Sequence, residues 1–167
     1  MVQLARTLMI GRGQPRVNAK PRRLIQPIYL APFLILLMII FHFVFPIQMI
    51  LVFPFTLIGL VPVIVGLFIN LQATRTLKNR ATFDSNVNPR TLVTEGFFQY
   101  SRNPMDLGGI VLGFGLAILL GSLVSFVFPT IFFLLLHFLF IPNEESQLKT
   151  TFGKEYLDYI KRVRKWI

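Results

Sequence analysis

No Lys, Arg, Asp or Glu occurs between Leu24 and Thr74. About 20 consecutive apolar residues are enough for a helix to cross the hydrocarbon core of a bilayer. Hydrophobic residues make up 54% of the whole chain and charged residues only 14%, so a soluble domain is not favoured. The uncharged stretch is long enough for two crossings, and the sequence therefore predicts a membrane-embedded pair of helices.

Four apolar segments can be interpreted as membrane spans, arranged as two helical hairpins in an all-α, multi-pass protein. Prolines inside the second segment predict kinks, which membrane helices tolerate when neighbouring groups satisfy the freed carbonyls. The third segment is only about 21 Å long at 1.5 Å per residue, so it needs extension back to Pro104 and a thinned bilayer. The predicted spans are Ile28–Phe45, Ile47–Ile69, Leu107–Leu120 and Leu123–Ile141, with turns at Pro46 and at Gly121 and Ser122.

Small residues recur every four positions along the third span. Such a stripe on one face of a membrane helix allows close approach to another helix. The fourth span is the expected partner, because only two residues join it to the third. The stripe consists of Gly109, Gly113, Ala117 and Gly121.

All 17 Lys and Arg residues lie in three segments: six precede the first span, five lie between the second and third, and six follow the fourth. Basic residues mark the cytoplasmic side of a membrane protein, so both termini and the central loop should be cytoplasmic. The net charge of +10 then follows from topology and attraction to anionic lipid, and a nucleic-acid partner is not expected. The predicted organisation is one integral membrane domain with a basic arm at 1–23, a first hairpin at 24–74, and a loop, second hairpin and tail at 75–167.

The longest polar stretch between apolar segments runs from Thr91 to Gly108. Pro104 should open the next helix, where its missing N–H costs nothing. Asp106 then falls in the first turn, where a helix favours negative charge. A polar loop that leads into a helix N-terminus at a membrane surface can hold a charged ligand, although an ordinary connecting loop has the same pattern.

A second polar segment follows the fourth span, with Glu144 and Glu145 directly after Pro142. Adjacent helical residues point about 100° apart, so the two acids cannot face the same partner. Glu145 lies four residues before Lys149, which favours a surface ion pair and leaves Glu144 as the acid expected to face inward. The tail is predicted to be an amphipathic helix on the cytoplasmic membrane surface or over the site, broken at Gly153, with apolar positions Leu148, Phe152, Tyr156, Tyr159, Ile160 and Val163.

These two polar segments resemble the two sequence blocks of the isoprenylcysteine carboxyl methyltransferase and phospholipid methyltransferase family. The first block is Leu92-Val-Thr-x-Gly followed by Tyr100-Ser-Arg-Asn-Pro-Met-x-Leu-Gly108. The second is Ile141-Pro-Asn-Glu-Glu-Ser-Gln-Leu148, followed by Phe152-Gly-Lys-Glu-Tyr156 and Tyr159. The resemblance covers roughly residues 82–167, with the blocks in the family's order and one helical hairpin between them.

The resemblance implies a membrane enzyme that uses S-adenosylmethionine to methylate a lipid-like or prenylated substrate, by carboxyl O-methylation or lipid N-methylation. Methyl transfer by in-line displacement needs an aligned acceptor and the exclusion of water, and the sequence has no catalytic triad or metal-binding pattern. The resemblance identifies no catalytic residue. The implied cofactor-binding residues are Arg90, Thr91, Leu92, Val93, Phe98, Asn103, Pro104, Met105, Asp106 and Glu144, together with Arg102 and Glu145.

Three positions depart from the family pattern. Asp106 replaces the usual Tyr, and Phe97 stands where Pro is common. Asn103 replaces a His and resembles the bacterial branch, which implies a bacterial inner membrane in preference to the endoplasmic reticulum. Asp106 either pairs with a cofactor cation or marks a weakened enzyme, so the alternative is a non-catalytic membrane protein that retains the fold. The methyl acceptor and the oligomeric state stay open.

Overall fold

The computed structural model describes residues 27–45, 48–79 and 92–167. The predicted arm at 1–23, the turn at Pro46, and the candidate residues Arg90 and Thr91 lie outside the described residues. The regular structure of the described part is helical. Its helices are α1 (Pro27–Val44), α2 (Leu60–Asn79), α3 (Pro104–Leu120), α4 (Val127–Leu135), α5 (Ile141–Phe152) and α6 (Lys154–Arg162), with 3₁₀ turns at Phe55–Gly59, Gly96–Gln99 and Leu123–Phe126.

The α1–α2 connection and the α3–α4 turn meet at one end of the helices. The backbone N–H groups of Ile50 and Leu51 donate to the Gly121 carbonyl at 2.8 and 3.1 Å. Gly121 has a φ of 71°, a left-handed conformation that glycine adopts without a Cβ clash. His42 Nδ1 lies 2.8 Å from Ser122 Oγ at the same end. Helices α1 to α4 therefore alternate in direction.

The second helix starts later than the sequence predicted. The expected span was Ile47–Ile69, whereas the helical segment begins with the 3₁₀ turn Phe55–Gly59 and continues through α2 to Asn79. Pro54 has no N–H and restricts the residue before it, so a helix cannot run through this point without distortion. Pro62 lies in the first turn of α2, where it needs no kink. The helix also extends beyond the predicted hairpin boundary at residue 74.

Helices α2 and α3 pack backbone against backbone. A Cβ built on Gly66 would lie 2.5 Å from the Gly108 carbonyl oxygen, and one on Gly59 would lie 2.5 Å from that of Gly115. Gly59, at the end of the 3₁₀ turn, and Gly66 of α2 are seven residues apart, as are Gly108 and Gly115 of α3, which places each pair on one face. The closest helix approach therefore involves α2 and α3, through glycines that the predicted stripe did not include.

Two glycines of the predicted stripe face the fourth helix, whereas Gly121 faces Leu51 and Thr56 in the segment before α2. A Cβ on Gly109 would lie 3.5 Å from the Phe132 ring, and one on Gly113 would lie 3.2 Å from Pro129 Cβ. These distances are ordinary or slightly tight side-chain contacts. Helix α3 thus presents one glycine face to α2 and a second, less crowded face to α4.

Two adjacent glycines of α3 provide a matched stability test. Gly108→Ala should lower the free energy of unfolding by about 1–3 kcal/mol, because its Cβ would meet the Gly66 carbonyl and the Asn70 N–H at under 3 Å. Gly109→Ala should have a much smaller effect, since its Cβ meets only the Phe132 ring. Thermal unfolding of both variants in the same detergent measures the difference. Equal losses would show that the α2–α3 contact is not the tight one.

The fourth helix changes its hydrogen bonding just before Pro142. Leu136–Phe140 form a π-helical turn between α4 and α5, so the helix does not end at Ile141 as predicted but continues to Phe152. The proline ring collides with the carbonyl four residues earlier in an α-helix, and the wider π turn gives it room. Asn143 Nδ2, in the first turn of α5, donates to the Leu139 carbonyl of the π turn. One extra residue in the turn rotates every later side chain by about 100°.

Two helical stretches in the described part of the chain are long and apolar enough to cross a membrane. They are Phe55–Asn79 and Leu123–Phe152. Tyr29–Val44 and Pro104–Leu120 are shorter apolar helices. Composition and helix length together indicate membrane association.

Candidate functional site

The first polar block leads into α3 at the end of the helices opposite Gly121. Pro104 is the first residue of α3 and is buried, and Asp106 lies in its first turn, as the sequence predicted. Asn70 Nδ2 of α2 donates to the Met105 carbonyl at 2.9 Å. This bond holds the N-terminus of α3 against α2.

Arg102 of the first block forms an ion pair with Glu145 of the second. Arg102 Nη1 lies 2.8 Å from Glu145 Oε1, and each side chain is only 13% exposed. The sequence predicted a surface pair between Glu145 and Lys149, and this prediction is wrong, because Glu145 pairs with Arg102. The expectation that Glu144 faces the site is a separate one, and Glu144 lies near Asp106. The π turn before α5 rotates the following residues, which is sufficient to bring Glu145 in place of Glu144 to face Arg102.

The ion pair leaves hydrogen-bonding capacity unused. Arg102 Nε is buried and has no hydrogen-bond partner, whereas Glu145 Oε1 is engaged in the ion pair. Buried polar atoms in native proteins are nearly always hydrogen-bonded to protein, water or ligand. The pair can therefore contribute one donor, Arg102 Nε, to a bound polar molecule.

Asp106 and Glu144 form a second charged group in the same region. Their carboxyl groups are close enough to repel each other electrostatically. Asp106 is half-buried and Glu144 is open to solvent. In the described part of the chain neither acid belongs to an ion pair. Two neighbouring carboxylates without a counter-ion favour the binding of a positively charged group.

Helix α6 packs over the first block. The Tyr159 hydroxyl donates to the Phe98 carbonyl at 2.7 Å, and both residues are buried. Leu92 packs against a cluster made by Tyr156, Tyr159 and Val163. The pKa of Tyr159 is raised to about 12, mainly by burial and to a smaller extent by the neighbouring Tyr156. The hydroxyl therefore stays protonated and able to donate. The apolar face of the tail thus covers the site.

Backbone carbonyls after α6 bind the loop that carries Arg102. The Arg102 N–H donates to the Arg164 carbonyl at 3.0 Å. Asn103 Nδ2 and Ser101 Oγ donate to the Lys165 carbonyl at 3.0 and 3.3 Å. No residue-type pattern could have predicted these contacts, because the acceptors are main-chain atoms.

Loss of the Tyr159 hydroxyl should loosen the tail. Tyr159→Phe leaves the Phe98 carbonyl without its donor, a cost of about 1–3 kcal/mol for a buried acceptor. Because the folded pKa lies above the ordinary value of 10.0, this contribution is present below about pH 10 and lost as pH rises towards 12. Limited proteolysis of the tail at neutral pH measures the effect. Tyr100→Phe, at a 70% exposed tyrosine, is the control, and equal cleavage of the two variants would contradict the prediction.

The remaining candidate residues differ in how far they are buried and in what they contact. Leu92, Val93 and Met105 are half-buried, and Phe98 is buried. Asn103 precedes α3 but uses its side chain on Lys165 and not as a helix cap. The site therefore brings together the candidates Leu92, Phe98, Arg102, Asn103, Pro104, Met105, Asp106, Glu144 and Glu145, whereas Arg90 and Thr91 lie outside the described residues.

One comparison with known proteins identifies a family. A model of the phospholipid methyltransferase family matches residues 54–155, which is more than half of the chain and includes the first polar block and the second as far as Glu155. No curated protein gives a significant match.

Proposed function

Since the chain belongs to the phospholipid methyltransferase family, whose members are membrane methyltransferases, we propose that it transfers the methyl group of S-adenosylmethionine to a lipid-like acceptor. The observation that carries this proposal is the convergence of the two polar blocks. Arg102 and Asp106 come from the start of α3, and Glu145 and Glu144 come from α5, yet the four charged groups occupy one region beneath α6.

The charged groups suit the chemical groups of the cofactor. S-adenosylmethionine carries a sulfonium, an ammonium and a carboxylate, and it supplies an electrophilic methyl group. Asp106 and Glu144 would hold its positive groups, because the two carboxylates repel each other until a cation lies between them. Arg102 Nε is a free donor for the carboxylate, and Glu145 holds the guanidinium in place. Phe98 and Leu92 offer apolar surface for the adenine.

The acceptor is proposed to be a phospholipid amine, with a prenylated carboxylate as the second candidate. The family description favours the first. The second is supported by the site itself, because a carboxylate is nucleophilic at neutral pH and needs no base, whereas an ammonium must first lose a proton. In both cases the tail over the site would exclude water from the reacting groups.

The proposed topology has four membrane spans and cytoplasmic termini. The alternating directions of α1 to α4 support it, since α1 and α3 would then cross beside the two longer helices. The charge pattern supports a cytoplasmic position for the candidate site. Reporter fusions at residue 1 and after Ile167 should both report the cytoplasm. Reports from opposite sides would require an odd number of spans.

A transfer assay tests the proposed function. Purified protein in nanodiscs is incubated with methyl-labelled S-adenosylmethionine and either phosphatidylethanolamine or a prenylated cysteine analogue. Label should move into one of these acceptors, and Glu144→Gln should reduce the rate. Cofactor binding without label in any lipid would instead support the non-catalytic alternative. That alternative is suggested by Phe97 and Asp106, which depart from the family's sequence pattern.

A further inference from the structure

We propose that a strap formed by residues Arg162 to Ile167 is a binding surface for anionic phospholipid headgroups, and that this binding holds the cofactor loop in place. The coupling to the cofactor rests on the proposed function. The inference rests on two faces of one short segment: an inner face bound to the site, and an outer face that is basic.

The inner face is held by main-chain contacts and one aromatic anchor. The carbonyls of Arg164 and Lys165 accept hydrogen bonds from the loop at Ser101–Asn103. Trp166 Nε1 donates to His137 Nδ1 at 3.1 Å, and the two rings are stacked at 17°. His137 lies in the π turn that sets the rotation of α5. The strap therefore ties the first block to the helix that carries the second.

The outer face has the chemistry of a membrane-interface segment. The side chains of Arg162 and Arg164 are exposed, while the carbonyl of Arg164 points to the site loop. Lys161 is exposed but pairs with Asp158. Ile167 is an apolar residue that is 75% exposed. Arginines beside an exposed apolar side chain suit an anionic lipid surface, where each basic residue adds to the attraction.

The two faces explain how lipid binding reaches the site. The strap is held to the rest of the protein by a few hydrogen bonds and one aromatic contact, and segments held by few contacts open locally at low free-energy cost. We therefore expect the strap to exchange between docked and undocked states. Headgroups that bind the arginines in the docked geometry favour that state, and the docked state orders Arg102. By reciprocity, anionic lipid should strengthen cofactor binding.

Trp166 is the sole tryptophan of the chain, so its fluorescence reports the strap. Acrylamide quenching is measured in nanodiscs of phosphatidylcholine alone and of phosphatidylcholine mixed with phosphatidylglycerol. The quenching constant should fall about twofold in the anionic nanodiscs, and the affinity for S-adenosylmethionine should rise about fivefold. Inorganic phosphate added to neutral nanodiscs should change neither quantity. An equal response to phosphate would overturn the proposal in favour of simple anion binding.

Paired variants locate the effect. Arg162→Gln with Arg164→Gln keeps the strap's carbonyls and should abolish the difference between the two nanodiscs. Lys149→Gln with Lys154→Gln removes the same charge from exposed positions outside the strap. This variant should keep most of the difference in quenching constant between the two nanodiscs. His137→Ala should also abolish the quenching response, and its survival would mean that Trp166 enters lipid instead of docking. Absence of cofactor binding in every nanodisc would refute the proposed function alone, because the quenching response is read without cofactor.

Discussion

Replacing Glu145 by Gln is expected to lower the free energy of unfolding by about 3–5 kcal/mol, the usual cost of removing one partner from a largely buried ion pair. The substitution leaves Arg102 charged and only 13% exposed, with no carboxylate opposite it. Glutamine is nearly isosteric with glutamate, so the loss reports charge and not shape. Thermal or denaturant unfolding in one detergent measures it.

Two controls separate the ion pair from a general effect of lost charge. Glu144→Gln should leave the stability nearly unchanged, because this adjacent side chain is open to solvent. Combining Glu145→Leu with Arg102→Met should restore much of the lost stability, since both charges are then absent from the buried region. Equal destabilisation by Glu144→Gln and Glu145→Gln would contradict the orientation of α5.

The second large effect concerns cofactor affinity. Glu144→Gln should weaken S-adenosylmethionine binding by roughly 10- to 150-fold, because a charge-assisted hydrogen bond contributes about 1.5–3 kcal/mol and each 1.4 kcal/mol is tenfold. The same variant relieves the repulsion at Asp106 and should fold normally. Calorimetric titration in nanodiscs gives the two dissociation constants.

Glu155→Gln is the matched control for this titration, since Glu155 is an exposed acid on α6. It should bind the cofactor with the affinity of the unchanged protein. An unchanged affinity in Glu144→Gln would remove this acid from the cofactor site. Together with the stability data, it would leave Glu145 with a structural role and Glu144 with none.

Local signals in the sequence were sufficient for several features of this fold. Pro104 and Asp106 predicted the start of α3, because proline and an acid suit the first helical turn. Gly153 predicted the break between α5 and α6, where its φ is 52°. Both features depend on residues within one turn of chain, which a sequence pattern can describe.

Features that depend on contacts between distant segments were missed. The α1–α2 connection is irregular because Ile50 and Leu51 donate to Gly121, 70 residues or more along the chain. The direction that Glu145 faces depends on a π turn just before Pro142, and the proline alone predicts a distorted helix without giving the form of the distortion. A surface pair with Lys149 was a sound expectation for an uninterrupted helix. The π turn directs Glu145 towards Arg102, and Glu145 pairs with that residue instead.

The roles of the tail were only partly accessible from its sequence. The spacing of its apolar residues predicted one buried face, and Tyr156, Tyr159 and Val163 do pack together. The hydrogen bonds from the loop to the carbonyls of Arg164 and Lys165 involve the backbone, so they leave no mark on residue identity.

Photochemical cross-linking of labelled S-adenosylmethionine tests most directly whether the two polar blocks form one cofactor site. The protein in nanodiscs is irradiated with the labelled cofactor, digested, and mapped by mass spectrometry. Label should appear in peptides that contain Phe98 to Asp106 and in peptides that contain Glu144 and Glu145, and excess unlabelled cofactor should displace it. Displaceable label confined to other segments, or no displaceable label in folded protein, would contradict a cofactor site at the junction of α3 and α5.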